Sequence, residues 1–119
     1  MANKAFFLLR MNDHVQYLRK IEATLQGTGD FQGTDCHECK LGKWLYGDGA
    51  AEAEAAGAEA KQVFDSIFEP HQLFHEASHN ALQQKQSGDE GGSREAMTTM
   101  YKLSKTLIDM LLTLDRISK

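Results

Sequence analysis

Apolar side chains fall at Phe7, Met11, Leu18, Ile21 and Leu25, in steps of three and four with one slot left over, and His14 fills that slot. Such a stripe fits one face of a helix and no strand, because side chains three and four apart share a helical face. It predicts a first helix from about Lys4 to Leu25, ended by the loop sequence GTGDFQG. Asp35 is placed to cap a short helix reaching about Tyr46, with Glu38 set for the return bond of a capping box, before GDG stops it. The stretch AAEAEAAGAEAKQVFDSIF favours helix and puts Phe64, Ile67 and Phe68 on one face. Pro70 lacks a backbone donor and is expected to kink or break the helix locally, which resumes in HQLFHEASHNALQQKQ. Positions 64, 68, 71, 75, 78 and 82 form one stripe, and His71 and His75 take two of them. SGDEGGS reads as a turn, and a last helix from about Arg94 to Ile117 is expected to bury Met97, Met100, Tyr101, Leu107, Ile108, Leu111 and Leu114. The expectation is one all-α domain spanning the chain, a four-helix bundle with an embedded short helix carrying Cys-x-Leu-Gly-Lys-Trp.

Charge and length exclude some roles. The net charge is −4, and no basic patch is interleaved with aromatic residues, so nucleic acid is not an expected partner. No stretch approaches the length that spans a bilayer, and no membrane insertion is expected. The apolar run Ala5 to Leu9 is too short for a signal-peptide core and is followed at once by Arg10. These features predict a cytoplasmic location. In a reducing compartment, two cysteines separated by two residues point to metal binding or redox chemistry.

Both cysteines lie in CHECKLGKWLYG, Cys36 to Gly47. Three histidines elsewhere take positions that the pattern reserves for leucine. Any one of them reads most simply as a core residue with a hydrogen-bond partner. Together, three neutral imidazoles in one core leave many donors and acceptors to satisfy, and a metal satisfies them at once. His71 and His75 are four apart and share a helical face, while His14 lies on the inner face of another helix. A closed tetrahedral zinc site needs a fourth donor, and Cys39 is the best candidate. Nitrogen and sulfur donors favour zinc over magnesium, calcium or manganese. The set read from spacing is therefore His14, Cys39, His71 and His75.

CKLGKWLYG at Cys39 to Gly47, with HQLFH downstream and a helical histidine upstream, resembles the chemoreceptor zinc-binding (CZB) domain family of bacterial chemoreceptors and diguanylate cyclases. The resemblance covers about Ala5 to Leu114. It implies a helical bundle, often a homodimer, that holds zinc through three histidines and one cysteine, and it maps these to the same four residues. It also implies a cytoplasmic sensor in which zinc occupancy, or oxidation of Cys39 by species such as hypochlorous acid, controls an output domain or partner protein.

Other residues have plainer readings beside their functional ones. Cys36 is an inert surface cysteine or a disulfide partner for oxidised Cys39. His37 points away from Cys39 and is exposed. His79 sits at the edge of the site or in solvent. Gly42 and Trp44 support packing, the glycine by close approach and the indole by covering the site. Glu38 and Glu76 are solvated or support ligands. The acidic run Glu52 to Glu59 reads as a solvated face. Two competing functions share the bundle. A hemerythrin-like di-iron oxygen carrier needs more histidines and bridging carboxylates. A zinc hydrolase needs an open metal position and a base, for which Glu76 is available.

Overall fold

The computed structural model describes residues 4–118, with side chains from Phe7 onward. The first part of the run Ala5–Leu9, which carried the signal-peptide argument, therefore lies outside the described side chains. The chain forms α1 (Lys4–Leu25), α2 (Lys40–Leu45), α3 (Gly49–Ala55), α4 (Ala58–Gln86) and α5 (Glu90–Ile117). Three long rods, α1, α4 and α5, make an elongated bundle of 49 × 20 × 19 Å. The short α2 and α3 fill the fourth position, so the fold is an all-α four-helix bundle with an embedded short helix bearing the cysteine motif.

The buried face of α1 is Phe7, His14, Tyr17, Ile21 and Leu25, with Met11 and Leu18 only half-buried. Tyr17 thus takes the inner position expected for Leu18. Its ring packs on Phe31 and Phe74, with centroids 5.2 Å and 6.0 Å away, and its hydroxyl reaches the 31–35 loop.

The alanine-rich stretch is two helices, not one. Gly57 has φ +119°, a backbone conformation open to glycine but not to alanine, and it separates α3 from α4. The acidic run is not wholly solvated either, because the Trp44 indole N–H donates to Glu52 Oε1 at 3.1 Å. Trp44 packs edge-on against Phe7 and Phe64, with centroids 5.9 Å and 5.4 Å away, which presses α2 onto α1 and α4.

Helix α4 continues unbroken through Pro70. The ring removes one helical bond to the Ser66 carbonyl. Ser66 is on the exposed side of the helix, while Ile67, His71 and Phe74 on the other side are fully buried. Packing on both sides of the proline outweighs the lost bond. Helix α5 begins at Glu90, four residues before the expected Arg94, because the Asp89 carboxylate accepts the Gly92 N–H at 2.9 Å and starts the helix early. Ser93 Oγ donates to the Ala81 carbonyl across the hairpin. Tyr101 is exposed, contrary to the expected core position. It lies at the edge of the α1–α5 seam, where its hydroxyl donates to Glu22. Met97 and Ile108 are half-buried, whereas Met100, Leu107, Leu111 and Leu114 form the core as expected.

Candidate metal centre

The site begins with how α2 starts. Asp35 does not cap this helix. Its Oδ1 accepts the Cys36 N–H at 2.8 Å, and its carbonyl accepts the Glu38 N–H at 2.9 Å, closing a tight turn. Cys39 is the N-cap instead, and its Sγ accepts the Gly42 N–H at 3.2 Å. Sulfur replaces the usual capping oxygen, which points the thiol inward at the end of a turn. Glycine at 42 is required there. A Cβ at this position would lie 1.8 Å from the Cys36 carbonyl oxygen and 3.3 Å from Cys39 Sγ.

Across from Cys39 stand His71 and His75, one helical turn apart on α4, with ring centroids 4.7 Å apart and planes at 81°. Ligand atoms of Cys39, His71 and His75 all lie within 4.8 Å of one another, and all three residues are buried. Tetrahedral zinc, with Zn–S about 2.3 Å and Zn–N about 2.0 Å, sets sulfur and nitrogen donors about 3.5 Å apart. Cys39 Sγ and His71 Nε2 are separated by 3.3 Å. The donor set and its spacing therefore fit zinc.

Each imidazole is held differently. His75 Nδ1 lies 3.0 Å from the Thr34 carbonyl. A carbonyl only accepts, so Nδ1 carries the proton and Nε2 keeps its lone pair, the form a metal requires. His71 Nδ1 is buried with no hydrogen-bond partner among the described residues. His14 is 3 % exposed and stacks edge-on against Phe74, but it stands apart from the three clustered donors. Its Nε2 is 2.8 Å from Ser104 Oγ on α5.

Burial pushes all three imidazoles towards the neutral form. His14 and His75 titrate at about 4 and His71 at about 3; the other ring charges add to the burial effect at His14 and His71. Neutral imidazole is the ligating state. The Cys39 thiol is pushed up by burial, with the Gly42 N–H opposing. A bound cation reverses that balance by stabilising thiolate.

The family model of the chemoreceptor zinc-binding domain matches residues 14–82. The chain belongs to this family. The match spans every candidate donor, from His14 to His75, and is narrower than the Ala5–Leu114 range expected from the motif. No curated protein and no solved structure matches the chain. CZB domains are non-catalytic sensory modules, so the chain is a sensory and regulatory domain and not an enzyme. No helix among the described residues is long and apolar enough to cross a membrane.

The other residues singled out in this CZB domain are now placed. Cys36 is buried, not at the surface, under the turn that Asp35 closes. His37 is exposed, with Nδ1 3.2 Å from Asp35 Oδ2. His79 is exposed, and its Nε2 donates to the Thr34 carbonyl at 2.9 Å. Glu38 and Glu76 are exposed, and among the described residues Glu76 accepts from Gln72, at 3.5 Å, and contacts neither His71 nor His75 by a hydrogen bond. The residues that do support the cluster are Thr34 and Tyr17, while Ser104 holds His14. Tyr17 accepts the Thr34 N–H at 2.8 Å, and so holds the carbonyl that orients His75. Their signal in the sequence was slight: a tyrosine and a serine at inward helical positions.

One consequence concerns chelator-treated protein. In the unfolded chain these histidines take up protons near their ordinary value of 6.5, but in the fold only near 3 to 4. Between those limits the unfolded state binds more protons, so stability falls as pH drops from about 6.5 towards 4. Urea unfolding of metal-free protein should show a lower midpoint at pH 5 than at pH 7. Equal midpoints would contradict neutral buried imidazoles.

Proposed function

We propose that the whole chain acts as one cytoplasmic sensory domain that holds one zinc ion through His14, Cys39, His71 and His75 and controls an output domain or partner protein of bacterial signalling, such as a chemoreceptor or a diguanylate cyclase. The observation that carries this reading is the buried convergence of Cys39, His71 and His75. His14, buried on α1 with Nε2 2.8 Å from Ser104 Oγ, would be the fourth donor. Zinc bound here ties α2 to α1 and α4. Cys39 and its turn fix where α2 begins, and Thr34 orients His75. Sulfur in the cluster, and no carboxylate, favours zinc over a di-iron centre.

Cys39 is also the switch. A cleft of about 230 Å³ lined by Tyr17, Phe31, Thr34, Glu38 and Cys39 gives small oxidants a way to the sulfur. Hypochlorous acid oxidises the thiolate to sulfenic acid: oxygen is transferred to sulfur and chloride leaves. One donor is lost, and α2 is released from the cluster. That is a local change with a two-state readout.

Elemental mass spectrometry of protein purified without chelator or metal-affinity tag tests the reading. It should find one tightly held zinc per chain and little iron. No zinc after loading and desalting, or two irons per chain, would overturn it.

The domain pairs with a second copy. The His14–Ser104 and Glu22–Tyr101 contacts run α1 antiparallel to α5, which brings exposed Leu8, Leu9 and Leu112 to one end of the bundle. Light scattering should give twice the 13.3 kDa of one chain at micromolar concentration, and Leu112→Lys should shift it to monomer. A monomeric wild type would remove the dimer.

A further inference from the structure

The turn that precedes Cys39 carries a second group of donors that the buried cluster does not use. Ligand atoms of Asp35, Cys36 and His37 lie within 4.8 Å of one another. His37 Nδ1 is 3.2 Å from Asp35 Oδ2 and 3.6 Å from Cys36 Sγ, so the nitrogen faces both other donors. The His37 ring is held in that direction by Tyr46, whose centroid is 4.0 Å away. Asp35 Oδ1 is taken by the Cys36 N–H, which leaves Oδ2 as the oxygen turned to the ring. These donors line an open cleft of about 260 Å³ whose other walls include His75, Glu76 and His79.

We propose that Asp35, Cys36 and His37 form a second site for zinc-class divalent ions, in the open cleft beside the buried cluster. One sulfur, one nitrogen and one carboxylate oxygen suit zinc or cobalt better than magnesium or calcium. Two of the three residues are exposed, so positions remain open to water and to donors across the cleft. Metal binding displaces the Cys36 thiol proton to solvent, one proton for each Cys36–metal bond formed. The second site is weaker than the closed one. A weak open site beside a tight closed one widens the range of zinc concentration over which the domain changes occupancy.

Cobalt(II) titration of the chelator-treated full chain, read by its visible and thiolate charge-transfer bands, tests the proposal. Two events are expected, a tight first equivalent and a weaker second. His37→Ala, at an exposed residue, should weaken the second event roughly tenfold or more, the scale on which losing a supporting group affects metal affinity. Cys36→Ser should remove the thiolate band of the second event. Both variants should leave the first event unchanged, which also shows that they fold. Saturation at one equivalent in the wild type, or a second event unaltered in both variants, would overturn the second site. A first event that is missing, or indifferent to Cys39→Ala, would instead sink the buried-site reading, while the second event still reports on Asp35, Cys36 and His37.

Discussion

Cys39→Ala is expected to lower zinc affinity by roughly two orders of magnitude or more, whereas Cys36→Ala leaves the tight site nearly intact. Structural zinc contributes about 10–16 kcal/mol in small domains, shared among four donors, so one donor accounts for about 3 kcal/mol. Alanine at 39 also removes the atom that accepts the Gly42 N–H, so the N-cap of α2 is lost with the ligand. Cys36 makes neither contribution to the buried cluster. Its sulfur is 3.6 Å from His37 Nδ1, on the other side of the turn. Competition against a zinc chelator of known affinity reads the difference. Equal losses in the two variants would mean that the cysteines share the tight site or that neither belongs to it.

Gly42→Ala should be the most damaging substitution outside the proposed ligands. The added methyl would overlap the Cys36 carbonyl oxygen at 1.8 Å, and that atom is backbone. No rotamer change relieves such an overlap. The Cys36–Cys39 turn would have to retreat, carrying Cys39 Sγ with it. Overpacking costs about 1–3 kcal/mol, and a backbone clash belongs at the upper end, about 3 kcal/mol. Zinc affinity should fall together with stability, because the strained segment carries the sulfur donor. Gly91→Ala is the matched control. A Cβ there meets only Asp89 Oδ1 at 3.8 Å, so the change is expected to be neutral or stabilising by about 0.5–1 kcal/mol. Thermal unfolding of both variants with and without zinc checks the pair. A Gly42→Ala protein as stable and as tight for zinc as the wild type would contradict the close packing of the turn.

The candidate donors were legible because each breaks a pattern. His14, His71 and His75 stand where a periodic stripe calls for leucine, and all three are buried. Cys39 was found from its motif and its need for a short packed helix. The supporting contacts were not legible, because they depend on which elements meet. The partner of His14 is Ser104, ninety residues away, and the carbonyl that orients His75 belongs to a loop threonine. Local rules failed where tertiary packing outweighed them. Pro70 did not break α4, since buried residues on both sides hold the helix together. Asp35 was a good capping residue by type, but it caps its own turn and leaves α2 to a sulfur cap. Cys36 looked like a surface residue until the turn closed over it.

X-ray absorption at the zinc edge, on protein loaded with one equivalent of zinc, tests the central claim most directly. The account predicts one sulfur at about 2.3 Å and three nitrogens at about 2.0 Å around the metal. A first coordination sphere without sulfur, or with two sulfurs, would contradict it.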